Sequence, residues 1–510
     1  MVKTDKRESG AGVPQQRTLD LLRVPLVGRF LRWRYARAAL QWPLFLLAGL
    51  VLFDGFFGPQ LAPKNLAGVL PWVQWRGLIV LALLFAGNLF CAACPFMLPR
   101  GLAKRWLPAA RHWPRRLRSK WLATALLIAF FWGYEAFDLW ASPWLTAWLA
   151  LSYFVVAFVV DGLFRGAAFC KYLCPIGQFH FVNSLASPLE VAVRDRALCA
   201  ACSSKDCIAG QVGGQGRRDG WPSEEPAAVP RAAGSRARHG GCELWLFQEK
   251  KAGNVDCTFC LDCIHACPYD NVGVLARPPT SEVWRDPPRA NVGRLGERGD
   301  IAALASVVIF GAFVNALGMV APVYDVERWL ARLLGTGDSR LVLLVLFTLG
   351  LVVAPVLAIG GAALASRSLA GSRAPLSVVA ARFGYALVPV GFGMWLAHYG
   401  FHFLTGALTV VPVAQSFLAD LGWPVLGVPN WALGPLVPAA WLLPIEMLCL
   451  EAGLLGSLVA AYRVAQEQYG ESARARRGFL PWAALATGLF AMGLWLMLQP
   501  MEMRGTFGAG

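Results

Sequence analysis

Five stretches of this chain, residues 77–98, 301–324, 341–366, 383–404 and 479–500, run for about twenty residues or more without a single Lys, Arg, Asp or Glu. A segment of that length and composition is suited to cross about 30 Å of hydrocarbon as an α-helix, which satisfies its own peptide groups where no water reaches them. Four further stretches, 38–57, 121–140, 143–164 and 436–462, are as long but carry one or two carboxylates. Nine membrane spans are therefore expected. Composition agrees, because only 15% of residues are charged, against about 25% in soluble domains.

The net charge of +16 would point to nucleic acid in a soluble protein, but its distribution gives it another meaning. Segments 1–37, 99–120, 367–382 and 463–478 hold 24 Lys and Arg, whereas the alternate segments 58–76, 141–142, 325–340, 405–435 and 501–510 hold 6. That asymmetry follows the positive-inside rule. It predicts a bacterial inner-membrane protein with a cytoplasmic N-terminus, a periplasmic C-terminus and no nucleic-acid partner. The first 37 residues are polar and basic, without the short apolar segment of a cleavable signal peptide.

Between residues 165 and 300 the pattern changes. Gly, Pro, Arg and Asp become common, long apolar runs stop, and ten of the thirteen cysteines fall between Cys170 and Cys267. Four spans precede this region, so it returns to the cytoplasm, where clustered cysteines indicate metal more often than disulfides. The organisation expected is a basic segment (1–37), a four-helix membrane domain (38–164), a cytoplasmic domain (165–300) with a flexible insertion (208–241), a five-helix membrane domain (301–500) and a periplasmic tail (501–510).

Cys257, Cys260, Cys263 and Cys267, followed by Pro268, form C-x2-C-x2-C-x3-C-P. Two-residue spacers wrap three thiolates around the corners of an iron–sulfur cube, while the fourth cysteine reaches the other cluster. Zinc sites more often pair two C-x2-C units or use histidines. Upstream lie Cys199, Cys202 and Cys207, with Cys242 thirty-five residues beyond. In the swapped order of two-cluster ferredoxins, Cys199, Cys202, Cys207 and Cys267 would hold one [4Fe–4S] cluster, and Cys242, Cys257, Cys260 and Cys263 the second. Cys207 follows a four-residue spacer and Cys242 lacks a following proline, so the presence of two clusters is the firmer expectation. The fold class expected is mainly α: a polytopic membrane protein with an inserted two-cluster bacterial-type ferredoxin of small α+β architecture.

Two further motifs, Cys91 and Cys94 before Pro95 and Cys170 and Cys174 before Pro175, fall at the cytoplasmic ends of the second and fourth expected spans. Three readings are open: packing of small apolar side chains, an additional thiolate-bound metal or iron–sulfur site, or a dithiol relay. The prolines end their helices and free backbone donors that can steady a thiolate.

Paired membrane C-x(2–3)-C-P motifs followed by a two-cluster ferredoxin resemble the NapH/NosR/CcoG family of membrane polyferredoxins. The phrase from Gly241 to Gly273 is most similar to the FesM-type membrane iron–sulfur proteins. The resemblance covers about residues 40–275 and implies electron transfer between quinone or cytoplasmic donors and a membrane or periplasmic acceptor. The C-x2-C-P spacing at Cys91 and the lack of a soluble flavin domain ahead of the spans depart from the family pattern, so a covalent flavin is not expected.

The second half holds intramembrane polar residues, which are costly in lipid and so candidates for function. His398 and His402 lie one helical turn apart, and Glu446 lies in the eighth span as a candidate proton route. Four readings compete for the histidines. A quinone site with a carboxylate nearby is favoured. The others are a copper site completed by Met501 or Met503, a bis-histidine haem, which one helix cannot easily ligate from both faces, and cofactor-free interhelical hydrogen bonding. Segment 405–435 is expected at the periplasmic surface, roofing the pair, and Cys449 is read as packing. The function expected is iron–sulfur electron transfer with redox partner proteins and quinone, as part of an oxidoreductase system with quinone reductase or quinol oxidase activity. The alternative is a metal-handling accessory that reduces copper for a respiratory complex.

Overall fold

The computed structural model describes residues 19–107, 111–210, 240–470 and 472–500. It is mainly helical, and eight of its helices are long and apolar enough to cross a membrane. In chain order these are α1 (Ala36–Phe57), α2 (Leu66–Ala86), α4 (Pro143–Leu163), α5 (Gly299–Leu317), α6 (Ser339–Leu369), α7 (Leu376–Asp420), α8 (Ala439–Tyr469) and α9 (Ser472–Met497), one fewer than the nine spans expected, because the apolar helix α3 (Trp121–Ala136) is too short to count among them. The helix α3 has 16 residues, about 24 Å at 1.5 Å per residue, and the chain continues in turns to Ser142. The continuous path of α7 contains 3-10 turns at Tyr385–Leu387 and Ala407–Thr409.

The span expected at 77–98 is displaced. Its helix starts earlier, where the Asn65 side chain accepts from Ala67 N at 2.8 Å, and widens to a π-helix at Leu70–Trp75, where Pro71 has no N–H for the ladder. It stops at Gly87, whose φ of +62° favours glycine. Cys91 and Cys94 therefore follow the helix in short turns instead of closing it. Arg76, counted above with an outer loop, is inside α2.

The central helices are α5 and α7, buried along most of their apolar windows, with the others ranged around them. Small residues let α7 and α8 approach closely: a Cβ on Gly393 would meet the Cys449 carbonyl oxygen at 2.5 Å, and one on Gly453 the Pro389 carbonyl at 2.7 Å. Without a hydrophobic drive between helices in lipid, such packing is what associates them. The segment expected on the outer surface forms the last part of α7, Val410–Asp420, and then an irregular, largely exposed run.

Between α4 and α5 lies the extramembrane region. Strands β1 (Leu189–Val193) and β2 (Val272–Ala276) pair antiparallel, Leu189 opposite Ala276 and Val193 opposite Val272, and Asp20 bridges to Leu275 at the edge. After β1, Asp195 caps the short helix Arg196–Ala201 by accepting from Ala197 N at 2.8 Å. Asn271, just before β2, ties the two cysteine-bearing segments together: its side chain accepts from Asp195 N at 2.8 Å and donates to Asp195 O at 2.6 Å. Most of the expected insertion lies outside the described residues, as does the tail carrying Met501 and Met503.

A buried ionic knot fastens this region to the helices. Lys120, at the start of α3, donates to Asp256 at 2.5 Å and to the Lys171 carbonyl at 2.6 Å. Lys171 Nζ lies 3.5 Å from the same carboxylate. All three residues are buried.

Candidate functional site

All thirteen cysteines are free thiols, and twelve of them gather in three groups of four. Burial first, then Cys199 and Cys267, pushes the Cys207 thiol up to about 12. Burial, followed by Cys202, pushes Cys199 up to about 11, with Cys267 contributing. These four form one group. In the second, burial raises Cys263 and then Cys242, Cys260 and Cys257 raise it further. Cys207 also acts on Cys263, so the two groups adjoin. They are the same two sets of four that the spacing suggested.

The backbone around the second group is unusual. Asp256, Phe259 and Leu261 have φ of 61°, 51° and 63°, and Lys205, two residues before Cys207, has 51°. Left-handed backbone at non-glycine residues is costly and concentrates at functional loops. Amides also favour the sulfur anions: Asn271 N donates to Cys267 Sγ at 3.3 Å, and the amides of Leu246 and Leu244 lower Cys242 against its burial.

The third group is Cys91, Cys94, Cys170 and Cys174. Burial raises Cys91 most, followed by Cys94, Cys170 and Cys174, with a further contribution from Cys257 of the second group. Burial and then Cys170 push Cys94 up to about 12, opposed by the amides of Phe96 and Met97. Burial and then Cys94 push Cys174 up to about 12, opposed by Gly177 N, which donates to its sulfur at 3.2 Å. Asn88 joins this group to the second by donating to the Cys257 carbonyl at 2.7 Å. Buried thiols that repel one another's ionisation, yet receive amide donors, are suited to a cationic group that deprotonates them.

All four thiols of the third group line one cavity of about 250 Å³. Among the described residues, no three or more His, Cys, Asp or Glu side chains converge as a site for one metal ion. A single tetrahedral ion would draw thiolates to about 3.8 Å from one another at Zn–S distances of about 2.3 Å. A four-iron cube, bearing one iron at each of four corners, holds them further apart.

The cavity is overwhelmingly apolar and runs from these thiols past Trp75, Phe90 and Phe131 to Trp72, Arg76 and Tyr399. Arg76 supplies the charge at that end. Its guanidinium carbon lies 4.6 Å from the Trp72 ring, 4.7 Å from Tyr134 and 5.0 Å from Tyr399. Desolvated cation–π contacts contribute about 2 kcal/mol each, and the buried carboxylate Glu135 acts electrostatically on the same cation. This polar end was missed from sequence: one Arg bordering an apolar run reads as a loop cation, and nothing local reveals the three rings.

His398 and His402 are brought together, their Nε2 atoms 3.2 Å apart, but they do not line the cavity. Their other neighbour is Met319, from the turn after α5. Glu446 makes no hydrogen bond to either histidine among the described residues, so the expected pairing with that carboxylate is not found; Arg76 is the charge that reaches both. Sequence reasoning also missed His180, which is fully buried and stacked 5.3 Å from Phe90; burial lowers its pKa to about 3, leaving the ring neutral. No family model, curated protein or solved structure matches this chain.

Proposed function

We propose that this protein is a membrane-bound iron–sulfur electron carrier that exchanges electrons between a cytoplasmic-side partner and a quinone substrate in the cavity below the third thiol group. The two extramembrane cysteine groups would hold one [4Fe–4S] cluster each in a ferredoxin-like domain, and Cys91, Cys94, Cys170 and Cys174 a further cluster. Such clusters supply one-electron transfer at potentials set by hydrogen bonds to sulfur and by solvent exposure. The observation that carries the reading is the succession of the three groups: Cys207 acts on Cys263, Cys257 on Cys91, and the last four thiols open onto an apolar, aromatic cavity.

The residues divide the work. Amides of Gly177, Phe96 and Met97 favour the thiolate form of the membrane cysteines. Trp75, Phe90 and Phe131 exclude water from the cavity. At its far end the Arg76 guanidinium, within 4.6–5.0 Å of the Trp72, Tyr134 and Tyr399 rings, would donate to a quinone oxygen. The distribution of basic segments supports a cytoplasmic side for the extramembrane domain, and the position of Arg76 inside α2 is consistent with that reading. The resemblance to the FesM-type proteins points the same way.

Stopped-flow spectroscopy tests this. The visible absorbance bleached by dithionite is expected to return faster when a quinone is added to the reduced protein in liposomes. Arg76→Gln, with unchanged iron content, is expected to slow that step tenfold or more, about 1.4 kcal/mol of lost stabilisation. Reoxidation indifferent to quinone would remove quinone as the substrate.

A further inference from the structure

We propose that His398, His402 and Met319 form a binding site for one Cu(I) ion. Three atoms define it: His398 Nε2, His402 Nε2 and Met319 Sδ, each 3.2 Å from the other two. A point about 1 Å out of the plane of the three atoms lies about 2.1 Å from each, at imidazole–metal bond lengths of about 2.0–2.1 Å and about 0.2 Å short of a metal–sulfur bond of about 2.3 Å. Two helical elements cooperate in building it. One turn of α7 stacks the histidines, and the turn that follows α5 delivers the thioether from across the core. His398 and Met319 are buried, 0% and 4% exposed, and His402 partly so.

The ligand set selects the metal. Thioether sulfur is a soft donor that favours Cu(I), whereas zinc sites use thiolate, imidazole and carboxylate. All three ligands are neutral, so the ion keeps its full charge in a poorly solvated place, and a monovalent ion costs less to bury there than a divalent one. Arg76 lies within electrostatic reach of both imidazoles and further disfavours a divalent ion, while Glu135, close to Arg76, offsets part of that repulsion. A Cβ on Gly318 would lie 3.2 Å from Glu135 Oε1, so the carboxylate sits beside the turn that carries Met319. The sequence supplied the histidines, but tertiary register supplies the sulfur from Met319. The site stands apart from the thiol groups, and its existence does not depend on whether those hold iron.

The test uses the full-length chain with methionine replaced by selenomethionine, isolated anaerobically and loaded with Cu(I) in the presence of a chromophoric Cu(I) chelator. Copper X-ray absorption is expected to show nitrogen and selenium neighbours, which cysteine-bound copper cannot mimic. Met319→Leu, which keeps the volume, is expected to abolish the selenium shell and weaken binding by more than about tenfold, since loss of a mere supporting group already costs 10–100-fold. His402→Gln is expected to weaken binding similarly while iron content stays that of the parent. The proposal is overturned by copper without selenium neighbours, by a selenium shell that survives Met319→Leu, or by parent and both variants retaining equal copper.

Discussion

Asp256 is the residue on which the junction between the extramembrane region and the helices turns. Burial would raise its carboxyl, but Lys120 and Lys171 hold it below the usual carboxylate range. Removing one partner from a buried ionic group costs about 3–5 kcal/mol, so Asp256→Asn is expected to lower the denaturation midpoint of the detergent-solubilised protein by that free energy at neutral pH. A depressed carboxylate contributes stability above its unfolded value, about pH 3.9, and loses it as pH falls through the lower folded value. The parent junction should therefore weaken only in acid. Lys120 behaves oppositely: burial lowers its pKa despite Asp256, and a lysine depressed in the folded state favours folding as pH rises. The Asn variant, left with two buried lysines, should recover stability toward alkaline pH. Denaturation profiles carried from below pH 3.9 up to about pH 10 check both signs, and a variant indifferent to pH would show that the lysines are already neutral.

At the scale of elements, the closest approach in the membrane domain is that of α7 and α8 at Gly393 and Gly453. A side chain at Gly393 must displace the backbone carbonyl of Cys449, not a flexible side chain. Gly393→Leu is expected to destabilise by about 1–3 kcal/mol or more, the range for overpacked cores, and to disturb His398, one turn and a residue further on. Detergent unfolding curves measure the first effect and copper retention the second. Element existence was legible in the sequence because charge-free runs leave the backbone little choice. Element position was less so. The apolar run through Cys91–Leu98 looks like helix by composition, yet the helix ends at Gly87 and begins eleven residues before residue 77, because Arg76 finds three aromatic rings that make a cation tolerable inside it. The neighbours within each cysteine motif were legible from spacing, since residues close in sequence need only one turn to meet, whereas the approach of Cys91 and Cys94 to Cys170 and Cys174 depends on how the helices pack. Met319 was not: a methionine in an apolar run is indistinguishable from packing until two helices are placed against each other.

For the whole molecule, the three thiol groups, the apolar cavity, Arg76 and the two histidines with Met319 lie in succession from the extramembrane region through the membrane domain. Each neighbouring pair is joined by a named contact or electrostatic influence. What the chain itself contributes is placement: a salt-bridged junction that fixes the extramembrane thiols over the membrane thiols, and central helices α5 and α7 that present the polar residues inside an apolar shell. The most direct measurement is an iron and acid-labile sulfide count, with electron paramagnetic resonance of the reduced state, on the full-length protein purified without oxygen. The three proposed clusters predict about twelve iron and twelve sulfide per chain, falling to about eight of each on Cys91→Ser or Cys174→Ser. A colourless protein carrying zinc in place of iron would contradict electron transfer through this chain.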